Sequence, residues 1–247
     1  MKWLIANYHP VTLFSLRLGE ATSTGAKTLL VPTPFAIRTA LLDAALRTQG
    51  VTAGLSAFEA IKGLRLAMRP PERVVVTNLF AKVLKPQRSD KPGREKAMQP
   101  TIAFREYAHL EGSLGLALAG DESALTAVEP LLAQVNYFGK RGSFFQLVAL
   151  PEQVETADDE SPPGFILLEG VYVNEGQISG RGPQAFPMGL MQLMDDWGPG
   201  LSYDKVNVYD PAQIRRPGKG DDRIRIGVVF PYRLTRTGRG FTAYECV

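Results

Sequence analysis

The stretch Lys85-Pro86-Gln87-Arg88-Ser89-Asp90-Lys91-Pro92-Gly93-Arg94-Glu95-Lys96 has almost no apolar content. Its five cations stand against Asp90 and Glu95, a local charge of +3. Such a segment cannot bury a core. It lies between two strand-like runs, residues 73–84 with the β-branched Val74-Val75-Val76-Thr77, and residues 101–107. Whatever the chain folds into must therefore send a polar insertion, about residues 85–100, into solvent. The simplest geometry is a mobile tip on a long hairpin.

The rest of the first half alternates strand and helix signals. Residues 2–18 read as a bent strand, or a hairpin broken near His9-Pro10. In Val31-Pro32-Thr33-Pro34-Phe35, Thr33 is a helix cap and Pro34 a first-turn residue. Ile37, Leu41, Ala44 and Ala45 then fall on one helical face, and Gly50 ends the helix. Ser56-Ala57-Phe58-Glu59 has capping-box spacing and predicts a second helix, ending before Pro70-Pro71. Further strands are expected at 101–107, 113–118 and 144–150. A short helix is expected over about 122–134, capped by Asp121 and kinked or broken at Pro130. This order suits an α+β fold, with an RRM-like or ferredoxin-like core as the natural candidate. Such a sheet often leaves a face or edge open to RNA.

Residues 151–163 are acidic and end in Pro162-Pro163, which predicts a linker or surface loop. The expected division is an RRM-like domain at 1–150 and a smaller β-rich part at 151–247. In that second part, Ile224, Ile226 and Val228 alternate with Arg223, Arg225 and Gly227, a half-exposed strand with arginines on its open face.

Composition excludes several classes. Cys246 is the single cysteine, so no intramolecular disulfide forms, and a reducing cytoplasm is expected. With only His9 and His109 beside it, a structural zinc site is not expected, nor is any other cofactor. The opening apolar run, Trp3 to Tyr8, is too short for a signal peptide, and nothing approaches a membrane span. The formal net charge of +3 and a pI of about 9.0 permit a polyanionic partner without demanding one.

No Walker loop, H-E-x-x-H or G-x-S-x-G motif is present, and Gly180-Arg181-Gly182 and Gly238-Arg239-Gly240 are not dinucleotide fingerprints. Asp195-Asp196 and Asp221-Asp222 read as loop or cap residues. The loop Tyr137-Phe138-Gly139-Lys140-Arg141-Gly142-Ser143-Phe144-Phe145 interleaves glycines, cations and aromatics. Glycines allow close approach, cations neutralise phosphates and aromatics stack bases. The same loop also reads as a helix-to-strand turn with core aromatics on either side. A third basic stretch has eight Lys and Arg over residues 215–239 against Asp221 and Asp222, and its arginines suit bidentate phosphate contacts. His109, near Tyr107 and Arg105, reads as a strand-end histidine or as an acid-base group for RNA cleavage.

Three of these segments, in order, resemble the Cas-five group of CRISPR-associated proteins. They are Val31 to Leu42, similar to that group's proline-rich turn and first helix; Thr101-Ile102-Ala103-Phe104-Arg105-Glu106-Tyr107, similar to its "reey" strand; and Phe138-Gly139-Lys140-Arg141-Gly142-Ser143, similar to its glycine-basic loop. The resemblance covers about residues 1–150. It implies an RRM-like domain of the RAMP superfamily that binds the 5′ handle of a CRISPR RNA (crRNA) and caps one end of a surveillance complex. The 85–100 insertion would be a protruding thumb, and the partners a backbone subunit and the large subunit. The implied RNA contacts are Arg38, Arg105, Tyr107, Lys140, Arg141 and Ser143, with Lys82, Lys85 and Arg88 at the thumb. One branch of the group cleaves precursor crRNA with Tyr, Lys and His. This sequence has no clear adjacent Lys-His pair, so catalysis is not carried over.

Overall fold

The structure, a computed structural model, describes residues 1–17, 25–86, 98–157, 160–169, 171–174, 177–179, 188–209 and 221–247. The elements of the first half are β1 (Lys2–Pro10), β2 (Gly25–Ala26), α1 (Pro34–Gln49), α2 (Gly54–Lys62), β3 (Arg65–Arg69), β4 (Arg73–Pro86), β5 (Met98–Glu111), β6 (Leu114–Ala119), α3 (Glu122–Leu132) and β7 (Phe145–Leu147). The second half adds β8 (Glu152–Glu155), β9 (Ile166–Leu167), β10 (Val171–Asn174), β11 (Gln177–Ser179), β12 (Leu190–Trp197), α4 (Tyr203–Val206), β13 (Arg223–Phe230), β14 (Tyr232–Gly238) and β15 (Phe241–Cys246).

The first sheet runs β7-β1-β6-β3-β9, with β8 also on β1, and every pairing is antiparallel. In core terms the order is fourth, first, third and second strand, and the crossovers are the α1–α2 pair and α3. That is the ferredoxin-like arrangement expected from the sequence. Its fourth strand is split, since β7 pairs with Tyr8–Pro10 and β8 with Lys2–Ile5. The 144–150 run thus contributes only three strand residues, and the acidic "linker" contains β8. Strand β3 lies where the sequence reading extended its second helix.

Local chemistry explains the helix ends. The Thr33 hydroxyl accepts from the Ala36 amide at 3.2 Å, a cap worth about 1 kcal/mol, and Gly50 ends α1 at φ 86°. The capping box at Ser56 does not form: α2 starts at Gly54 with no side-chain cap. A methyl at Gly54 would lie 2.0 Å from the Tyr203 hydroxyl, so close packing sets this helix start. Asp121 caps α3 by accepting from Ala124 N at 2.7 Å. Pro130 falls in the last turn, two residues before the helix ends at Leu132, so its missing N–H does not break the helix midway.

One face of this sheet packs on the helices: Leu4, Ala6, Tyr8, Leu66, Met68 and Leu116 join Ile37, Leu41, Phe58 and Val128 in one continuous core. The opposite face is also covered. Trp3, Ile5, Ala67, Ala117 and Ala119 are buried with Phe165, and the Trp3 indole donates to Thr156 Oγ1 and to the Glu160 carbonyl, both at 3.1 Å. The face that an RRM would present to RNA is therefore closed by the chain after residue 155.

A second sheet, β14-β15-β4-β5-β2, is built around the expected hairpin, whose arms are each 14 residues long and pair from Arg73↔Glu111 to Pro86↔Met98. Residues 87–97 of the predicted polar tip lie outside the described residues. A third sheet, β11-β10-β13-β12, packs its β12 against α1, and Trp197 at the end of β12 stacks on Phe58 of α2 with ring centroids 4.9 Å apart. Because β8, β9 and β15 complete sheets begun before residue 150, that position is no physical boundary. Met194, Ile226 and Phe230 share the core of Leu4 and Ile37.

Candidate nucleic-acid interface

The glycine-basic loop is held from below. Phe138 is fully buried, its ring edge-on to Tyr8 and to Phe145 at 5.2 and 5.1 Å. The core-aromatic reading of this loop thus describes Phe138 and Phe145. The Thr12 hydroxyl donates to the Gly142 carbonyl at 2.6 Å and accepts from the Phe144 amide at 2.8 Å. Gly139 and Gly142 take φ values of 76° and 99°, which a side chain would strain, and a methyl at Gly139 would lie 2.8 Å from Leu16. The Ser143 amide donates to the Lys140 carbonyl at 3.1 Å and closes the turn. The outcome is a pinned tip that exposes the side chains of Lys140 and Arg141, with Phe144 exposed beside them.

Four of the expected RNA contacts gather around this tip. The Lys140 ammonium lies 5.4 Å from the centre of the Tyr107 ring. Tyr107 and Arg105, two apart on β5, share the face opposite to the buried Ala108 and Leu110. Arg141 lines a groove of about 380 Å³ together with Leu16, Phe35, Tyr137, Asp43 and Asp195. Among the described residues, no carboxylate pairs with Arg105, Lys140 or Arg141.

The other expected contacts lie elsewhere. Arg38 is 8% exposed and its donors are used within the protein: Nε to Asp196 Oδ1 at 2.8 Å, Nη1 to the Ile61 carbonyl at 2.6 Å and Nη2 to the Leu64 carbonyl at 3.0 Å. It satisfies the end of α2 and ties α1 to the third sheet, so it is withdrawn from the RNA surface. Ser143 is 2% exposed and accepts from the Ser15 amide at 3.1 Å, so it too is withdrawn. Lys82 is exposed on the hairpin, opposite Ile102. Lys85 belongs to β4 but its side chain, like the whole of Arg88, lies outside the described residues.

The hairpin carries a feature absent from the sequence reading. Its inner face is buried at Val74, Val76, Ala108 and Leu110, then continues outward as exposed Phe80, Leu84, Met98, Ile102 and Phe104. Phe80 and Phe104 are a direct cross-strand pair, with centroids 4.3 Å apart. Its sequence signal is the period-two apolar pattern over 74–84 and 98–110, which Asn78, Lys82, Pro100 and Glu106 interrupt on the same face.

The acidic pairs have structural partners. Asp195 lies 3.8 Å from Arg225 and 2.5 Å from Arg223, and Asp222 meets Lys205 at 2.6 Å. Among the described residues no three His, Cys, Asp or Glu side chains gather as a metal site. No helix among them is long and apolar enough to cross a membrane.

The fold and site define a ferredoxin-like α+β protein with a long β-hairpin and, at its base, a basic cluster that forms no ion pair among the described residues. A protein of Archaeoglobus fulgidus named CRISPR-associated protein Cas5 is 26% identical to the chain over 140 residues, 56% of this chain and 57% of that protein. The resemblance to the Cas-five group is thus found directly in sequence, over little more than half the length of that relative. No family model matches the chain. Among solved structures, a CRISPR protein from Archaeoglobus fulgidus superposes with a TM-score of 0.44 at 12% identity, covering 100% of this chain and 92% of that one. A chain of a CRISPR RNA-guided surveillance complex superposes with a TM-score of 0.47 at 15% identity, covering 92% and 91%.

Proposed function

We propose that the chain is a non-catalytic crRNA-binding subunit of a CRISPR surveillance (Cascade) complex, holding the 5′ handle and capping one end of the assembly. The observation that carries this reading is the tip of Lys140 and Arg141 beside Tyr107 and Arg105, four groups suited to phosphate and base contact, whose cations form no ion pair with a carboxylate among the described residues. The similarity to the Archaeoglobus protein named Cas5 supports it. The exposed apolar hairpin face supports a protein neighbour: large rings and aliphatic chains displayed together mark an interaction surface. In this reading that neighbour is a backbone subunit, with the large subunit elsewhere in the complex, and the location is cytoplasmic.

The test is binding of fluorescently labelled repeat RNA across a salt series. Lys140→Ala with Arg141→Ala is expected to weaken binding and flatten the salt dependence. Unchanged affinity and slope would remove the loop from the RNA surface. Cleavage of precursor crRNA is not favoured, because His109 is exposed with no hydrogen-bond partner among the described residues to orient it.

A further inference from the structure

The central sheet has lost its open face, but the second sheet has kept one. Residues directly opposite one another in neighbouring strands share a face, so the pairings can be followed in rows across β5, β4, β15 and β14. The first row is Glu111, Arg73, Glu245 and Arg233; the second is His109, Val75, Ala243 and Arg236; the third is Tyr107, Thr77, Phe241 and Gly238. The buried Val74 and Val76 point to the other side. This outer face is bare among the described residues.

Charge on that face is uneven. Both of its carboxylates are held by one arginine, Arg73, at 2.9 Å from Glu111 and 3.3 Å from Glu245. Arg233 and Arg236 have no carboxylate partner among the described residues. The two aromatic rings of the face, Tyr107 and Phe241, stand on strands either side of β4, roughly 10 Å apart from the usual strand spacing. Each has a cation over it: Lys140 over Tyr107 at 5.4 Å and Arg236 over Phe241 at 6.0 Å. The Phe241 ring lies across Gly238, where a methyl would come within 2.4 Å of Cε1, so the ring is held flat against the sheet.

We infer that this outer face is a stacking platform for single-stranded RNA, with Phe241 and Tyr107 each taking a base and Arg236, Arg233 and Lys140 the intervening phosphates. Flat rings with neighbouring unpaired cations fit a strand whose bases are exposed and whose backbone is anionic; a duplex offers no free base faces to them. The C-terminal hairpin β14–β15 would extend the RNA path beyond the glycine-basic loop. The inference rests on the RNA-binding reading and adds a second set of residues to it.

The experiment uses the full chain and a labelled oligouridine of about 20 nucleotides, a length that spans several stacking positions. Phe241→Leu is expected to weaken binding about five- to a hundredfold, the range for losing one stacked base, while Phe241→Trp retains it. Arg236→Ala is expected to weaken binding and lower the salt slope. Wild-type affinity in Phe241→Leu, with affinity lost in the Lys140→Ala, Arg141→Ala variant, would overturn the platform and leave the loop reading intact. Displacement of the RNA by polyuridine duplexed with polyadenine as readily as by the free strand would overturn the platform alone, whereas no binding by the unaltered chain of either the oligouridine or repeat RNA would overturn both readings. A second measurement does not depend on a variant folding: 5-iodouridine RNA photocrosslinked to the unaltered chain should mark the tryptic peptide from Gly240 to Val247. Crosslinks confined to other peptides would overturn the platform.

Discussion

Arg38 and Asp196, 158 residues apart, form a largely buried ion pair in which Arg38 Nε donates to Asp196 Oδ1 at 2.8 Å. The remaining guanidinium donors meet the Ile61 and Leu64 carbonyls at the end of α2. Removing the guanidinium would leave the Asp196 carboxylate with the Trp197 amide but no counter-charge, and would take a donor from the Ile61 and Leu64 carbonyls. Arg38→Ala is expected to cost about 3–5 kcal/mol, the usual loss when one member of a buried pair is deleted. Urea denaturation measures it. An RNA-binding defect with unchanged stability would contradict the structural role.

For Lys140→Ala with Arg141→Ala, thermal stability should stay close to wild type, because both side chains are exposed and the turn is held by backbone and Thr12 contacts. Each phosphate contact on a single strand contributes about 0.7 to the salt slope, so losing two should reduce it by roughly 1.4. A log-log plot of affinity against salt concentration reads this directly.

The apolar hairpin face predicts an assembly defect without a folding defect. Phe80→Asp with Ile102→Asp alters side chains that are 71% and 60% exposed. Within the isolated chain the main loss is the cross-strand contact of Phe80 with Phe104, so the variant should unfold within about 1.5 kcal/mol of wild type. If the proposed role holds, copurification with a CRISPR backbone subunit should fall sharply. Undiminished copurification would show that the neighbour docks elsewhere.

His109→Ala is expected to leave affinity for repeat RNA within about twofold, and the unaltered protein is expected to leave that RNA uncut in EDTA. Specific cleavage that disappears in His109→Ala would reverse the non-catalytic reading.

Alkaline pH should destabilise the protein through its C-terminal strand. Burial pushes the Cys246 thiol up from 9.0 to about 11 and raises Tyr232 as well. The folded state then holds these protons more tightly than the unfolded chain. Stability from Cys246 is complete below pH 9 and declines as pH rises from there towards about 11. The urea midpoint should fall between about pH 9 and pH 11, and less so in Cys246→Ala.

The order of strands and helices was written in local signals. Thr33-Pro34, Asp121 and the β-branched run at 74–77 each act within a few residues, and antiparallel pairing with right-sized crossovers then leaves a ferredoxin-like sheet as the economical arrangement. The basic loop was equally readable, because two glycines at positive φ and two exposed cations are properties of its own residues. What the sequence could not determine was which side chains face one another across long separations. Arg38 and Lys140 are both cations in motifs resembling one family, yet one is buried against Asp196 and the other lies over Tyr107. Likewise, Trp3 is covered by Thr156, Glu160 and Phe165, and Phe241 shares a face with Tyr107 only because β15 pairs with β4. Burial and strand pairing are set by the whole chain's packing, so only the tertiary structure decided which of two similar residues is free to meet a partner.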